Sequence, residues 1–257
     1  MTPERVIVQG RGAEIECLVR GRGRAVILIA SLGRPAEDFD HLATALAEAG
    51  YRAIAPQPRG VGASTGLMDG VSLDDLAADV AAVIDWTGEA GVTLVGHAFG
   101  NRLARSTAHL YPDKVARVVL LACGGQIPMS PLSLSDLMAC FDLSLPPETH
   151  LEHVRRGFFA PGNDASAWKG GWYPGTASMQ SAAVRASNHS AWMLGGGQPM
   201  LIVQALDDAI APPANALALL DAAPDRFTLA EIHNAGHAML PEQPQAIADA
   251  VIDWLTR

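Results

Sequence analysis

Cysteine is scarce in this chain. Cys17, Cys123 and Cys140 are spread over 257 residues, an odd number with no Cys-x-x-Cys pair. That usage argues against a disulfide framework or a zinc ribbon, and for reduced thiols in an intracellular, cytoplasmic setting. Long apolar runs are missing as well. None reaches the ~18 residues of a membrane span, and the opening "MTPERVIVQG" has no apolar core of the secretory type. Positive charge is in deficit: 18 Lys and Arg against 27 Asp and Glu give a formal net charge of −9. An acidic surface disfavours nucleic acid and anionic membranes as partners. The short basic run "RGRGR", residues 20 to 24, lies between two strand-like stretches and reads as a hairpin turn. The glycine-rich loop from Gly60 to Gly66 lacks the Lys-Ser/Thr ending of a phosphate loop. No metal-ligand cluster, dinucleotide fingerprint, internal repeat or low-complexity tract is present, so no metal and no organic cofactor is expected. The partner implied is a small-molecule substrate, and no feature specifies an oligomeric state.

Hydrophobic residues make up 49% of the chain, enough for a sizeable core. "RVIVQG" and "AEIECLVR" read as short strands. "AVILIA", Ala25 to Ala30, is apolar throughout, as a strand buried on both faces requires. Phe39, Leu42, Ala43, Leu46 and Ala47 then recur with helical spacing, and Gly50 supplies a stop. "YRAIAP" is a strand and "QPRGVGASTG" a loop. A helix begins at Ser72, followed by the strand "VTLVG", the helix "FGNRLARSTAHLY" and the strand "VARVVLLAC". This alternation of strand and helix demands a mostly parallel sheet flanked by helices, an α/β architecture. The pattern lapses from residue 124 to 197, where prolines are frequent and Trp168, Trp172 and Trp192 stand. It resumes with "MLIVQAL", "PPANALALLDAA", "RFTLAEIH" and "EQPQAIADAVIDWL". The expected organisation is one core domain, 1–123 and 198–257, with a helical cap inserted over 124–197.

One stretch in this frame raises a chemical question. Gly96-His97-Ala98-Phe99-Gly100 follows a strand and opens a helix. Gly-x-Ser-x-Gly in that setting is the nucleophile elbow of α/β hydrolases, and only the serine is missing. Further along, "ALDDAIAP" carries Asp208 and Pro212, and "NAGHAMLPEQP" carries Gly236-His237 and Glu242-Gln243-Pro244. The order tip, acid, histidine is the order of that fold. The chain therefore resembles the α/β-hydrolase superfamily over nearly its whole length. The resemblance implies an α/β-hydrolase fold with Ala98 at the nucleophile position, Asp208 as the acid and His237 as the histidine. It also implies an oxyanion hole built from the backbone N–H groups of Leu32 and Phe99.

The sequence departs from the family pattern at three places: Ala98 itself, Ala30-Ser31 in place of the usual His-Gly, and Gln57 in place of the usual Asp. Ala98 is either an engineered replacement of serine or a natural residue beside which His237 and Asp208 activate a water. The other two departures favour the natural reading. Ser31 lies where the oxyanion loop begins and serves either as a plain turn residue or as a substrate contact. Phe158, Phe159, Trp168, Trp172 and Tyr173 either pack a small core of the insertion or line an apolar pocket. Cys123 reads as a buried, inert thiol. The expected function is hydrolysis of a small or medium, partly apolar ester or lactone. Ligand binding without hydrolysis, a lyase and a cofactor-free oxygenase are the alternatives on the same fold.

Overall fold

The structure is a computed structural model and describes residues 2–125 and 127–257. The chain begins with β1 (Glu4–Gln9), β2 (Ala13–Gly21) and β3 (Ala25–Ile29), then α1 (Asp40–Glu48), β4 (Arg52–Pro56) and the two-residue β5 (Thr65–Gly66). Next come α2 (Leu73–Thr87), β6 (Val92–His97), α3 (Phe99–Leu110) and β7 (Val115–Leu121). Four helices follow without a strand: α4 (Pro131–Ala139), α5 (Pro147–Phe158), α6 (Pro174–Ala186) and α7 (His189–Trp192). The chain closes with β8 (Met200–Ala205), α8 (Ala214–Ala222), β9 (Phe227–Ile232) and α9 (Pro244–Leu255).

Among the described residues the sheet runs β1-β2-β4-β3-β6-β7-β8-β9, with β5 paired to β2. The pairs from β4 to β9 are parallel; β1 and β2 add an antiparallel edge. β4 lies on one side of β3 and β6 on the other, so the winding direction reverses between β3 and β6. A reversal of this kind opens a crevice at the carboxyl ends of the two strands, where open α/β sheets bind ligands. The pairing of Ile29 with Gly96 sets those two ends level.

This is the α/β-hydrolase fold expected from the sequence. The run "RGRGR" does not form a hairpin. β2 and β3 are not neighbours, because β4 lies between them, antiparallel to one and parallel to the other. The loop after β4 also holds an element the sequence conceals: Thr65 and Gly66 pair with Glu14 and Ala13.

Period-two burial explains how so apolar a sheet is covered on both faces. Ile27 and Ile29 pack with Leu94 against Leu76, Val80 and Val83 of α2 and Leu103 of α3. Val26 and Leu28 point the other way, toward Leu42 and Leu46 of α1 and Ile247 and Val251 of α9. α2 starts at a capping box between Ser72 and Asp75 and ends at Gly88, whose φ of 74° is the left-handed stop.

The helices between β7 and β8 hold a smaller apolar cluster of their own, with Val154, Phe158, Trp168 and Trp172, and it closes on Ile210 and Ala238 of the core. A buried cation ties this segment down. The Arg34 guanidinium is 4.2 Å from the Trp168 ring centre and 4.7 Å from that of Trp172. It also donates to both carboxylate oxygens of Asp38 and to the Gly170 carbonyl. Burial pushes the Asp38 carboxyl up, and the Arg34 hydrogen bond and charge oppose that rise.

Candidate active site

The strand-to-helix turn is as tight as two glycines allow. A Cβ on Gly96 would lie 2.2 Å from the Gly100 carbonyl oxygen, and one on Gly100 would lie 2.0 Å from that of Ile29. Neither contact can relax, because both partners are backbone. Ala98 stands between them at φ 50° and ψ −107°. A non-glycine residue held there costs about 1–3 kcal/mol, which the surrounding packing must offset. Its N–H donates to the Leu121 carbonyl and its own carbonyl accepts from Asn101 N–H, so the turn is fixed from both ends. The tip of this tight turn is a methyl group.

Two loops at the carboxyl ends of β8 and β9 supply the polar partners. Asp208 is 3% exposed, whereas its neighbour Asp207 is exposed, and this settles the register between two adjacent acids. The Asp208 carboxylate lies 2.9 Å and 3.0 Å from His237 Nδ1 and accepts from Ile210 and Ala211 N–H at 2.9 Å and 2.7 Å. An ionised carboxylate only accepts, so a neutral ring beside it carries its hydrogen on Nδ1 and presents a lone pair on Nε2.

The histidine loop is held by Glu242. Its carboxylate accepts from Gly236 and Met239 N–H on one oxygen, and from Ala160 N–H and the Asn163 amide on the other. The first pair belongs to the His237 loop and the second to the insertion, so one side chain joins the two. Gly236 is required by the same approach, since a Cβ there would lie 2.6 Å from the Phe158 carbonyl oxygen. Glu242→Gln keeps the shape but turns one acceptor into a donor facing N–H groups. It is expected to cost about 1.5–3 kcal/mol of stability, the scale of losing hydrogen bonds to a charged group. Urea unfolding measures this, and an unchanged midpoint would refute it.

His97, beside the tip, is fully buried. Its Nε2–H donates to the His237 carbonyl at 2.8 Å, and Nδ1 has no partner. Burial, and next the nearby His237, push its pKa down to about 3, so the ring is neutral. Its role is to hold the backbone of the His237 loop against the elbow.

A cavity of about 240 Å3 opens where these loops meet. Its wall includes Ala98, His237, Ser31, Leu32, Phe99 and Phe158, which the sequence had singled out. The Leu32 and Phe99 N–H groups find no acceptor in any turn or ladder among the described residues. Phe159, Trp168, Trp172 and Tyr173 are not part of this wall. Phe159, Trp168 and Trp172 pack into the apolar cluster of the helices between β7 and β8, Trp168 edge to face with both of the others, and Arg34 lies over Trp168 and Trp172. Tyr173 is half-buried and its N–H donates to the Gly33 carbonyl. Gln57 replaces an acid but still fixes the neighbouring turn, accepting from Ala36 N–H and donating to Glu37. Cys123 is fully buried and burial raises its thiol pKa, which leaves it inert.

Sequence reasoning passed over Arg102, Arg185, Ser181 and Met129, which also line the cavity. For Arg102 a signal existed: it stands four residues after Ala98, one helical turn along the same face of α3.

Residues 24–244 match the family model described as alpha/beta hydrolase fold. The chain belongs to the α/β-hydrolase family. This α/β-hydrolase chain is 30% identical over 262 residues to RutD of Variovorax paradoxus, which its name proposes as a carbamate hydrolase; the match covers 91% of this chain and 92% of that one. It is 27% identical over 254 residues to BpoC of Mycobacterium tuberculosis, proposed by name as a non-heme bromoperoxidase, covering 91% and 94%. Among solved structures, an esterase from Exiguobacterium antarcticum superposes with a TM-score of 0.84 at 18% identity, over 99% of this chain and 100% of that one, a likeness of fold.

Proposed function

We propose that this α/β-hydrolase chain hydrolyses a small or medium, partly apolar ester or lactone by activating a water, with alanine as its natural residue at position 98. The observation that carries this reading is the buried Asp208–His237 pair at a cavity that Ala98 also lines. A methyl group at the tip leaves room for the water that a serine hydroxyl would displace. His237 Nε2 takes a proton from that water as the oxygen attacks the acyl carbon. The carbonyl oxygen becomes an oxyanion and accepts from the Leu32 and Phe99 N–H groups, where each preorganised donor is worth about 10²–10³-fold in rate. When the tetrahedral species collapses, the proton on Nε2 passes to the departing oxygen. No acyl-enzyme forms, because Ala98 has no nucleophilic atom. In this reading the helices over 124–197 act as a lid on the core formed by 1–123 and 198–257, and Ser31 contacts the substrate.

The test is pre-steady-state hydrolysis of an aryl-ester and lactone panel by the wild type and by Ala98→Ser. Water activation gives linear product release in the wild type and a burst in the serine variant. A stoichiometric burst in the wild type, or turnover by the serine variant alone, would overturn it.

A further inference from the structure

The cavity contains charge that the proposed hydrolysis does not use. Arg102 on α3 and Arg185 on α6 both line it, and among the described residues no Asp or Glu does. Arg185 is exposed, so its freedom from partners is unremarkable. Arg102 is different. It is half-buried, and its guanidinium lies over Gly124, where a Cβ would come 3.1 Å from Nη2. Other buried arginines here are matched: Arg34 with Asp38, Arg59 with Asp79, and Arg105 with Asn101 and the Gly124 and Met193 carbonyls. Arg102 makes no ion pair and no hydrogen bond among the described residues. Burial and the neighbouring Arg105 charge depress its pKa. In a chain with a formal net charge of −9, a cavity lined by two cations and no acid is a local reversal of sign.

We infer that Arg102, assisted by Arg185, binds a free carboxylate on the substrate. A planar guanidinium with unused N–H groups matches a carboxylate in a paired geometry that no neutral group reproduces. Four residues of helix separate Arg102 from Ala98, about 6 Å along the axis. A few methylenes span that gap, so the substrate class is an acyl compound with a carboxylate a short apolar chain away from the scissile carbonyl. Leu32, Phe99, Phe141 and Val184 of the wall suit the chain between. This inference rests on the proposed hydrolysis at His237 for the position of the scissile bond, and on the cavity alone for the carboxylate.

Matched probes separate the two. Mono-(4-nitrophenyl) adipate and 4-nitrophenyl hexanoate differ by a terminal carboxylate in place of a methyl. The wild type is expected to favour the adipate ester in kcat/KM. That preference should fall by about 10- to 100-fold in Arg102→Met, the scale of a lost hydrogen bond to a charged group, and recover in part in Arg102→Lys. Adipate itself, read by calorimetry, should bind the wild type and bind Arg102→Met more weakly. Equal use of both esters, or a preference that survives in Arg102→Met, overturns the carboxylate site and leaves the hydrolase reading standing. Arg102-dependent binding of adipate without turnover of either ester supports the carboxylate site and overturns the hydrolase reading.

Discussion

His237→Ala removes about 10²–10⁴-fold in kcat from whatever ester or lactone the wild type turns over, the usual contribution of a positioned general base. The geometry explains why no neighbour can stand in. Asp208 is occupied by the His237 ring and two backbone N–H groups. His97 is neutral, its N–H is spent on the His237 carbonyl, and burial keeps its ring from taking a proton. Ser31 also lines the cavity but is not paired with a base among the described residues. Added imidazole should recover part of the rate, because it supplies the missing lone pair to a vacated site. Asp208→Asn tests the other half of the pair. An amide can present an N–H to Nδ1 and hold the ring in the wrong tautomer, and the expected loss approaches that of His237→Ala without exceeding it. If His237→Ala keeps wild-type kcat, the base lies elsewhere and the site assignment fails.

Acid should weaken the protein through His97, and the sign follows from its environment. The folded state holds its pKa near 3, far below the ordinary value of 6.5. Between those limits the unfolded chain binds a proton that the folded one refuses. Stability therefore falls as pH drops from about 6.5 toward 3, by about 1.4 kcal/mol per pH unit. Over the full window the total is on the order of 4–5 kcal/mol, a large part of the margin of a typical domain. His97→Gln removes the titration and keeps an N–H for the His237 carbonyl. Its stability, measured by urea unfolding at pH 6 and pH 4, should decline less steeply than that of the wild type. Parallel declines would show that His97 is not the group responsible.

Local patterns carried much of the fold. Continuous apolar strands such as Ala25–Ile29, helices with core residues at turn spacing, and the fixed order of elbow, acid and histidine need no tertiary knowledge. They follow from burial on two faces, from 3.6-residue periodicity and from chain order. The pairing partner of a strand is different, because nothing local records it. "RGRGR" resembles a hairpin turn until β4 inserts between β2 and β3. Asp207 and Asp208 are chemically identical; the spacing to Pro212 pointed to Asp208, and the structure buries that residue against His237.

The sequence by itself therefore determined the family and the tight turn at Ala98, because each depends on residues close in the chain or on their order. The tertiary structure decided which side chains share the cavity. It drew Phe159, Trp168 and Trp172 into the apolar cluster of the helices between β7 and β8, with Trp168 and Trp172 beneath Arg34, and brought Arg102 and Arg185 from separate helices to one wall. The physical reason is that a cavity is bounded by surfaces of distant segments, and the direction each side chain takes is set by packing across those segments rather than along any one of them.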